Sequence, residues 1–141
     1  MLLVERHIIT PTNKYYKELD EATFKSKNLY NSTLYAIRQH FFEETKYLPY
    51  ATLQKQFQDT KQQDYVALPT KVAQQTMKQV DTNFRAFFKT LAEYKKNPSK
   101  FKGRPKLPKY KEKVDGRFIL TYTNQAISKK ECDRDRVIHP S

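Results

Sequence analysis

The sequence predicts a mainly α chain with a few β-strands, and three observations carry that reading. Two long windows, from about Lys17 to Lys46 and from Leu68 to about Tyr94, repeat apolar residues three and four apart, the period of one helix face. Two short segments, residues 2–10 and 117–123, alternate apolar side chains and are rich in aliphatic, β-branched or aromatic residues, as strands are. Between the second window and the second short segment lies KKNPSKFKGRPKLPKYKEKVDGR, residues 95–117, whose three prolines and two glycines exclude a long helix.

The elements follow in order. Residues 2–10, LLVERHIIT, read as a strand that Pro11-Thr12-Asn13 breaks. In the first helical window Ala22, Ser26, Leu29, Thr33, Ile37 and Phe41 form the inner stripe, widened by Tyr30, Leu34 and Phe42. Lys25, Lys27, Asn28, Asn31, Arg38 and Gln39 fall on the other, solvated face. Pro49 disfavours helical geometry at Leu48 and ends the window. A short helix at about 51–58 comes next, with Leu53 and Phe57 on one face, and the polar stretch Asp59–Asp64 reads as a loop. Pro69 sits near the start of the second long helix, where a missing N–H costs little. Its stripe is Ala73, Met77, Val80, Phe84, Phe87, Phe88 and Leu91, and Asn97-Pro98 ends it. Residues 117–123, RFILTYT, read as a second strand. Two strands alone make a poor sheet, so the β part looks incomplete. The tail SKKECDRDRVIHPS turns abruptly polar where a further strand would be needed.

Length and composition fit one modest domain: 141 residues, 38% hydrophobic, with 10 Tyr, 9 Phe and no Trp. A lean core cannot hide nineteen rings, so many should be half-exposed. The net charge of +12 and pI near 9.7 favour an anionic partner. Residues 95–117 hold ten Lys or Arg against two acids, a net +8 and two thirds of the total. Such a run suits a phosphate backbone, although basic runs are often only solvated. Phe101 and Tyr110 within it, and Phe118 and Tyr122 after it, add rings that can stack on unpaired bases. The arm candidates are therefore Lys100, Lys102, Arg104, Lys106, Lys109 and Lys111. No apolar stretch approaches the ~20 residues of a membrane span. The first residues, with Glu5 early and no long apolar centre, do not read as a signal peptide. One cysteine, Cys132, fits a reducing cytoplasm.

Catalytic chemistry finds little support. His7, His40 and His139 are scattered, no Cys-x-x-Cys is present, and the adjacent pairs Asp20-Glu21 and Glu43-Glu44 point about 100° apart on a helix. The expectation is no catalytic residue, no metal site and no cofactor on this chain. Phe84, Phe87 and Phe88 read as core, because they continue the Met77/Val80/Leu91 face. Gln74 can contact adenine in two places and shares its face with Thr70, Lys78 and Arg85. Tyr47 and Tyr50, at turns, can cap the core or face a ligand.

The runs SKNLYNSTLYAIRQHFFEETKYLPYATLQKQF, LPTKVAQQTMKQVDTNFRAFFKTL, KFKGRPKLPKYK and FILTYTNQAI resemble the N-terminal part of TnpB/OrfB proteins, transposon-encoded RNA-guided DNA nucleases, over roughly residues 2–130. The resemblance implies a helical recognition lobe inserted into a wedge-type β-barrel, here incomplete: residues 1–10 as first barrel strand, 14–96 as lobe, 97–116 as basic arm, 117–130 as return to the barrel, and 131–141 as a divergent, disordered tail. It implies guide RNA and duplex DNA as partners; with the composition above, the expectation is no membrane and a cytoplasmic setting, and the oligomeric state is open. It places contacts to a motif next to the DNA target at Tyr50, Thr70, Lys71, Gln74, Thr123 and Asn124, with Thr70 and Lys71 as one-residue alternatives. The protein of such complexes reads the motif while base pairing reads the target. The family's nuclease half, with an acidic Mg²⁺ triad and a four-cysteine zinc element, has no counterpart in this sequence, so the chain reads as truncated and cleavage is not carried over. The alternatives are a functionless remnant of a decayed mobile element, or a nuclease-less regulator that binds transposon-end DNA or guide RNA.

Overall fold

A computed structural model describes residues 2–127. It contains four α-helices: α1 (Tyr16–Glu44), α2 (Tyr50–Asp59), α3 (Gln63–Val66) and α4 (Thr70–Lys96). The chain is mainly α, and among the described residues there is no strand.

The two long helices form where the apolar period put them. Before α1, the Asn13 side chain accepts from the Tyr15 N–H at 2.9 Å and turns the chain into the helix. At its end Thr45 takes a left-handed conformation, φ 54°, and the Tyr47–Pro49 turn leads into α2. The helix α3 is only four residues long, too short to register as a period, and it sits within and after the stretch expected as loop. Its start is capped by Gln62, whose Oε1 accepts from the Tyr65 N–H at 2.8 Å.

α1 and α4 lie side by side and run the same way. Ser26 shares a 2.9 Å hydrogen bond with Thr76, Asn83 Nδ2 donates to Tyr30 Oη at 3.1 Å, and the Phe41 and Phe88 rings lie 5.7 Å apart. Positions 26, 30 and 41 thus climb in step with 76, 83 and 88. α2 and α3 carry the chain back between them. Leu29, Leu34 and Ile37 meet Ala73, Met77, Val80 and Phe84 in the core, closed by Leu48, Leu53, Phe57, Tyr65 and Leu68. The seven residues from α1 and α4 belong to the two predicted stripes, and Leu53 and Phe57 are the face predicted for the short helix.

Four expectations need correction. Residues 2–10 are not a strand; Leu2, Leu3, Val4 and Ile8 are all more than 80% exposed. Alternation marks residues that suit a strand, but a strand exists only against a ladder partner. Residues 117–123 are not a strand either, because their backbone groups bond to side chains and the backbone of α1. No barrel is formed by the described residues. Lys27, expected on the solvated face of α1, is buried with 1% exposure. The expected disordered tail at 131–141, with Cys132 and His139, lies outside the described residues, as does the end of the segment 117–130.

Candidate nucleic-acid interface

The basic arm leaves the end of α4 and returns along α1, and its two halves are built differently. Asn97 ends α4, and a 3₁₀ turn at Pro98–Lys100 redirects the chain. The Phe101 ring packs edge-on against Tyr94 at 5.7 Å. Lys100, Lys102, Arg104, Lys106 and Lys109 are all exposed. Among the described residues none of the five has a carboxylate within ion-pair distance.

From Leu107 onward the arm is docked. Leu107, Phe118 and Leu120 pack against the core. Asn31 holds the backbone of Lys111 from both sides, accepting its N–H at 2.8 Å and donating to its carbonyl at 3.0 Å. Lys27 Nζ donates to the Lys113 carbonyl and lies 3.9 Å from the Phe24 ring centroid. Burial pushes the Lys27 ammonium below the ordinary lysine pKa; Glu112 opposes that shift, and Arg117 adds to it. Further on, the Phe118 N–H donates to the Thr23 carbonyl at 3.2 Å and Ser26 Oγ donates to the Ile119 carbonyl at 2.9 Å. Arg117 grips both carboxylate oxygens of Asp20, at 2.9 and 3.2 Å, and that hydrogen bonding lowers the Asp20 pKa.

One turn in this half depends on a glycine. The Glu112 carboxylate accepts from the backbone N–H groups of Asp115 and Gly116. The Val114 and Asp115 N–H groups hold the Glu112 carboxyl below its usual range. A Cβ on residue 116 would stand 2.2 Å from the Glu112 carbonyl oxygen, so only glycine fits.

The sequence-derived candidates fall into two patches, with Lys109, Lys111, Thr123 and Asn124 outside them. Lys100, Lys102, Arg104 and Lys106 form the free half of the arm, and Lys109 is exposed just beyond the point where Leu107 docks. Lys111 belongs with the docked half: it is half-buried, and its Nζ lies 5.1 Å from the Tyr30 ring and 5.4 Å from Phe118. The second patch is the start of α4, where Thr70, Lys71 and Lys78 are exposed and Gln74 is half-buried. Lys78 Nζ lies 5.7 Å from the ring of Tyr50, so these two candidates are neighbours. Tyr50 is itself half-buried against the core, and burial, then Tyr65 and Asp81, raise its pKa. Arg85 is drawn away by Asp81 at 2.9 Å; the same carboxylate accepts from Tyr47 Oη, whose ring packs on Phe84 at 5.9 Å. Tyr47 therefore caps the core. Thr123 and Asn124 enter a 3₁₀ turn, Asn124–Ala126, which packs on α4. Thr123 Oγ1 is buried and has no hydrogen-bond partner among the described residues; Asn124 is exposed. Gln74 precedes Phe87, which lies beside Arg104–Lys109, by thirteen residues, about 20 Å along a helix. The patches are separate, and a nucleic acid touching both must be several nucleotides long.

Sequence reasoning missed Ser26, Lys27 and Asn31 as the residues that seat the arm. A readable signal was present, since Asn is a poor helix-interior residue and Asn28 and Asn31 both stand mid-helix. Arg38 was also passed over as plain surface; its guanidinium lies 5.1 Å from the Tyr110 ring. Among the described residues no helix is long and apolar enough to cross a membrane. Compared with protein-family models, curated proteins and solved structures, the chain matches none of them.

Proposed function

We propose that this chain is a nucleic-acid-binding protein of TnpB-like character, contacting RNA and duplex DNA without cutting either. The observation that carries the proposal is the free half of the arm. Its four cations, Lys100, Lys102, Arg104 and Lys106, are exposed on a Pro- and Gly-bent backbone and among the described residues have no carboxylate within ion-pair distance, and phosphates are the complementary ligand. Counterion release supplies the affinity, so binding weakens steeply with salt. The start of α4, with Gln74 beside Lys78 and Tyr50, serves as the place where base edges are read. The β-barrel, which the described residues do not form, is no part of this proposal.

The test is binding to structured RNA and to duplex DNA at low and rising salt. Changing Lys102, Arg104 or Lys106 to Ala should weaken binding for every sequence, each lowering the salt slope by about one. Gln74→Ala should leave the slope alone and relax sequence preference. Folded protein that shifts neither nucleic acid at low salt would overturn the proposal, and identical behaviour of the two variant classes would overturn the division of roles.

A second reading, a nuclease-less regulator that captures guide RNA or transposon-end DNA by competition, gains support over a functionless remnant from the closed core. Leu29, Leu34, Val72, Met77, Val80 and Phe84 have no exposure. RNA of one defined sequence co-purifying with the chain would favour the regulator.

A further inference from the structure

We infer that the groove between α1, α4 and the arm is a seat for an unpaired base of a single-stranded nucleic acid. The inference rests on the nucleic-acid reading above and adds a site with its own chemistry. The groove has a volume of about 520 Å³, inside the about 300–1,000 Å³ range of small-molecule sites. Its floor is Phe41, Phe87 and Phe88. Phe88 rings lie 5.7 Å from Phe41 and 5.3 Å from Phe87, and all three are only half-buried. Arg38, Arg104, Lys106 and Lys109 line the groove together with Pro105, Leu107 and Pro108, and among the described residues no carboxylate does.

A site with an aromatic floor and only positive charges along its rim selects a flat ring that carries negative charge. A nucleotide is that combination: the base lies on the rings and the phosphate meets the rim. Two further exposed rings flank the groove, Phe42 at 56% and Tyr110 at 43% exposure, with the Arg38 guanidinium 5.9 and 5.1 Å from them. Neighbouring bases of one strand have rings to meet there as well. Duplex is the wrong occupant, because its base faces are already covered by stacking. A second copy of this chain is also wrong, because it would bring +12 to a cationic rim.

The experiment compares oligo(dT) and oligo(rU) of about 12 nucleotides, within the roughly 4–16-nucleotide footprint of single-strand binders, with a duplex of the same length and with inorganic polyphosphate. Phe87→Leu keeps an apolar side chain and removes the ring face. Stacking contributes about 1–3 kcal/mol per base, so Phe87→Leu should weaken single-strand binding about 5- to 150-fold, with duplex and polyphosphate affinity unchanged. Equal loss on all probes, or no loss on single strands, overturns the groove and leaves the nucleic-acid reading standing. Wild-type protein that binds no probe at low salt overturns both. Photocrosslinking of 5-iodouracil strands to the unmodified protein is independent of how the variant folds. Crosslinks at Phe41, Phe87 or Tyr110 support the seat, and crosslinks found only elsewhere overturn it. A concentration-dependent dimer abolished by Phe87→Leu would identify the groove as a self-association face and overturn it too. Oligo(dT) and oligo(rU) should behave alike, because stacking does not depend on the sugar.

Discussion

The arm divides at Leu107, and its two sides use the same residue types for opposite ends. Residues 97–106 keep their cations in water; Phe101 packs back on Tyr94, and Arg104–Lys106 lie along the groove beside Phe87. Residues 107–123 spend their backbone on α1: Asn31, Lys27, Ser26 and the Thr23 carbonyl each take a group of the arm. Lys111, in the second half, rests on two rings, whereas Lys102 and Arg104, a few residues earlier, face solvent. Positive charge therefore does not decide a residue's role here. What decides it is whether the adjoining backbone is held, because a held backbone fixes where the side chain can reach.

The comparison breaks first, and most visibly, at Phe118. Its ring lies 4.6 Å from that of Tyr30 and packs against the core. Full burial of a Phe makes truncation cost 3–5 kcal/mol, and this ring is half-buried, so Phe118→Ala should cost about 2–3 kcal/mol. Denaturant unfolding measures it. A loss below about 0.5 kcal/mol, the size of an ordinary surface change, would show that the second half is not docked.

A smaller effect is expected at Asn31. Its side chain satisfies both the N–H and the C=O of Lys111, and Asn31→Ala leaves them to find water. The expected cost is about 1–2 kcal/mol. Amide exchange locates the damage: protection should fall at Lys111 and along the arm toward Phe118 while α4 keeps its own. Uniform loss across α1 and α4 would mean that Asn31 supports the helix rather than the arm.

These two residues also mark how far the sequence could be read. The inner stripes of α1 and α4 recur every three or four residues, and nearly every residue expected inside is buried or half-buried. The turn at Pro49 and the arm's cations are equally local and were legible. The contact of Asn31 with Lys111 joins positions 80 apart, and no period or motif encodes it. The same distance in sequence hides the groove, because Phe87, Phe41 and Arg104 come from three segments. Strand alternation at 2–10 and 117–123 failed for a related reason. It reports what each residue prefers and is silent on whether a neighbour offers a ladder; Ser26 and Thr23 offered hydrogen bonds instead.

Acid should loosen the second half by a smaller amount and leave the first untouched. Asp20 is held low by Arg117, and Glu112 by backbone N–H groups. Both folded pKa values lie below the unfolded ones, 3.8 and 4.5, so the folded state binds fewer protons through that range. Their stabilisation is present above about pH 4.5 and is lost as pH falls through the folded values. Lys27 acts at the other limb. Its pKa is lowered from 10.5, so stability should rise as pH climbs toward that value. Melting temperatures from pH 7 down to 3 should fall more gently in Asp20→Asn than in the wild type, and an unchanged acid limb would remove Asp20 from the account.

The smallest effect belongs to the first half, and there the expected result is near zero. Lys102 and Arg104 are exposed, and among the described residues no side-chain ion pair or hydrogen bond ties them to the helices. Lys102→Ala and Arg104→Ala should each stay within about 0.5 kcal/mol of wild-type stability. Their effect should appear only in nucleic-acid affinity, as a shallower salt slope. A variant that lost affinity without losing stability would separate gripping from folding at the point where the arm divides. If Arg104→Ala instead unfolded the chain as Phe118→Ala does, the first half would be docked as well, and the contrast between the halves would be lost.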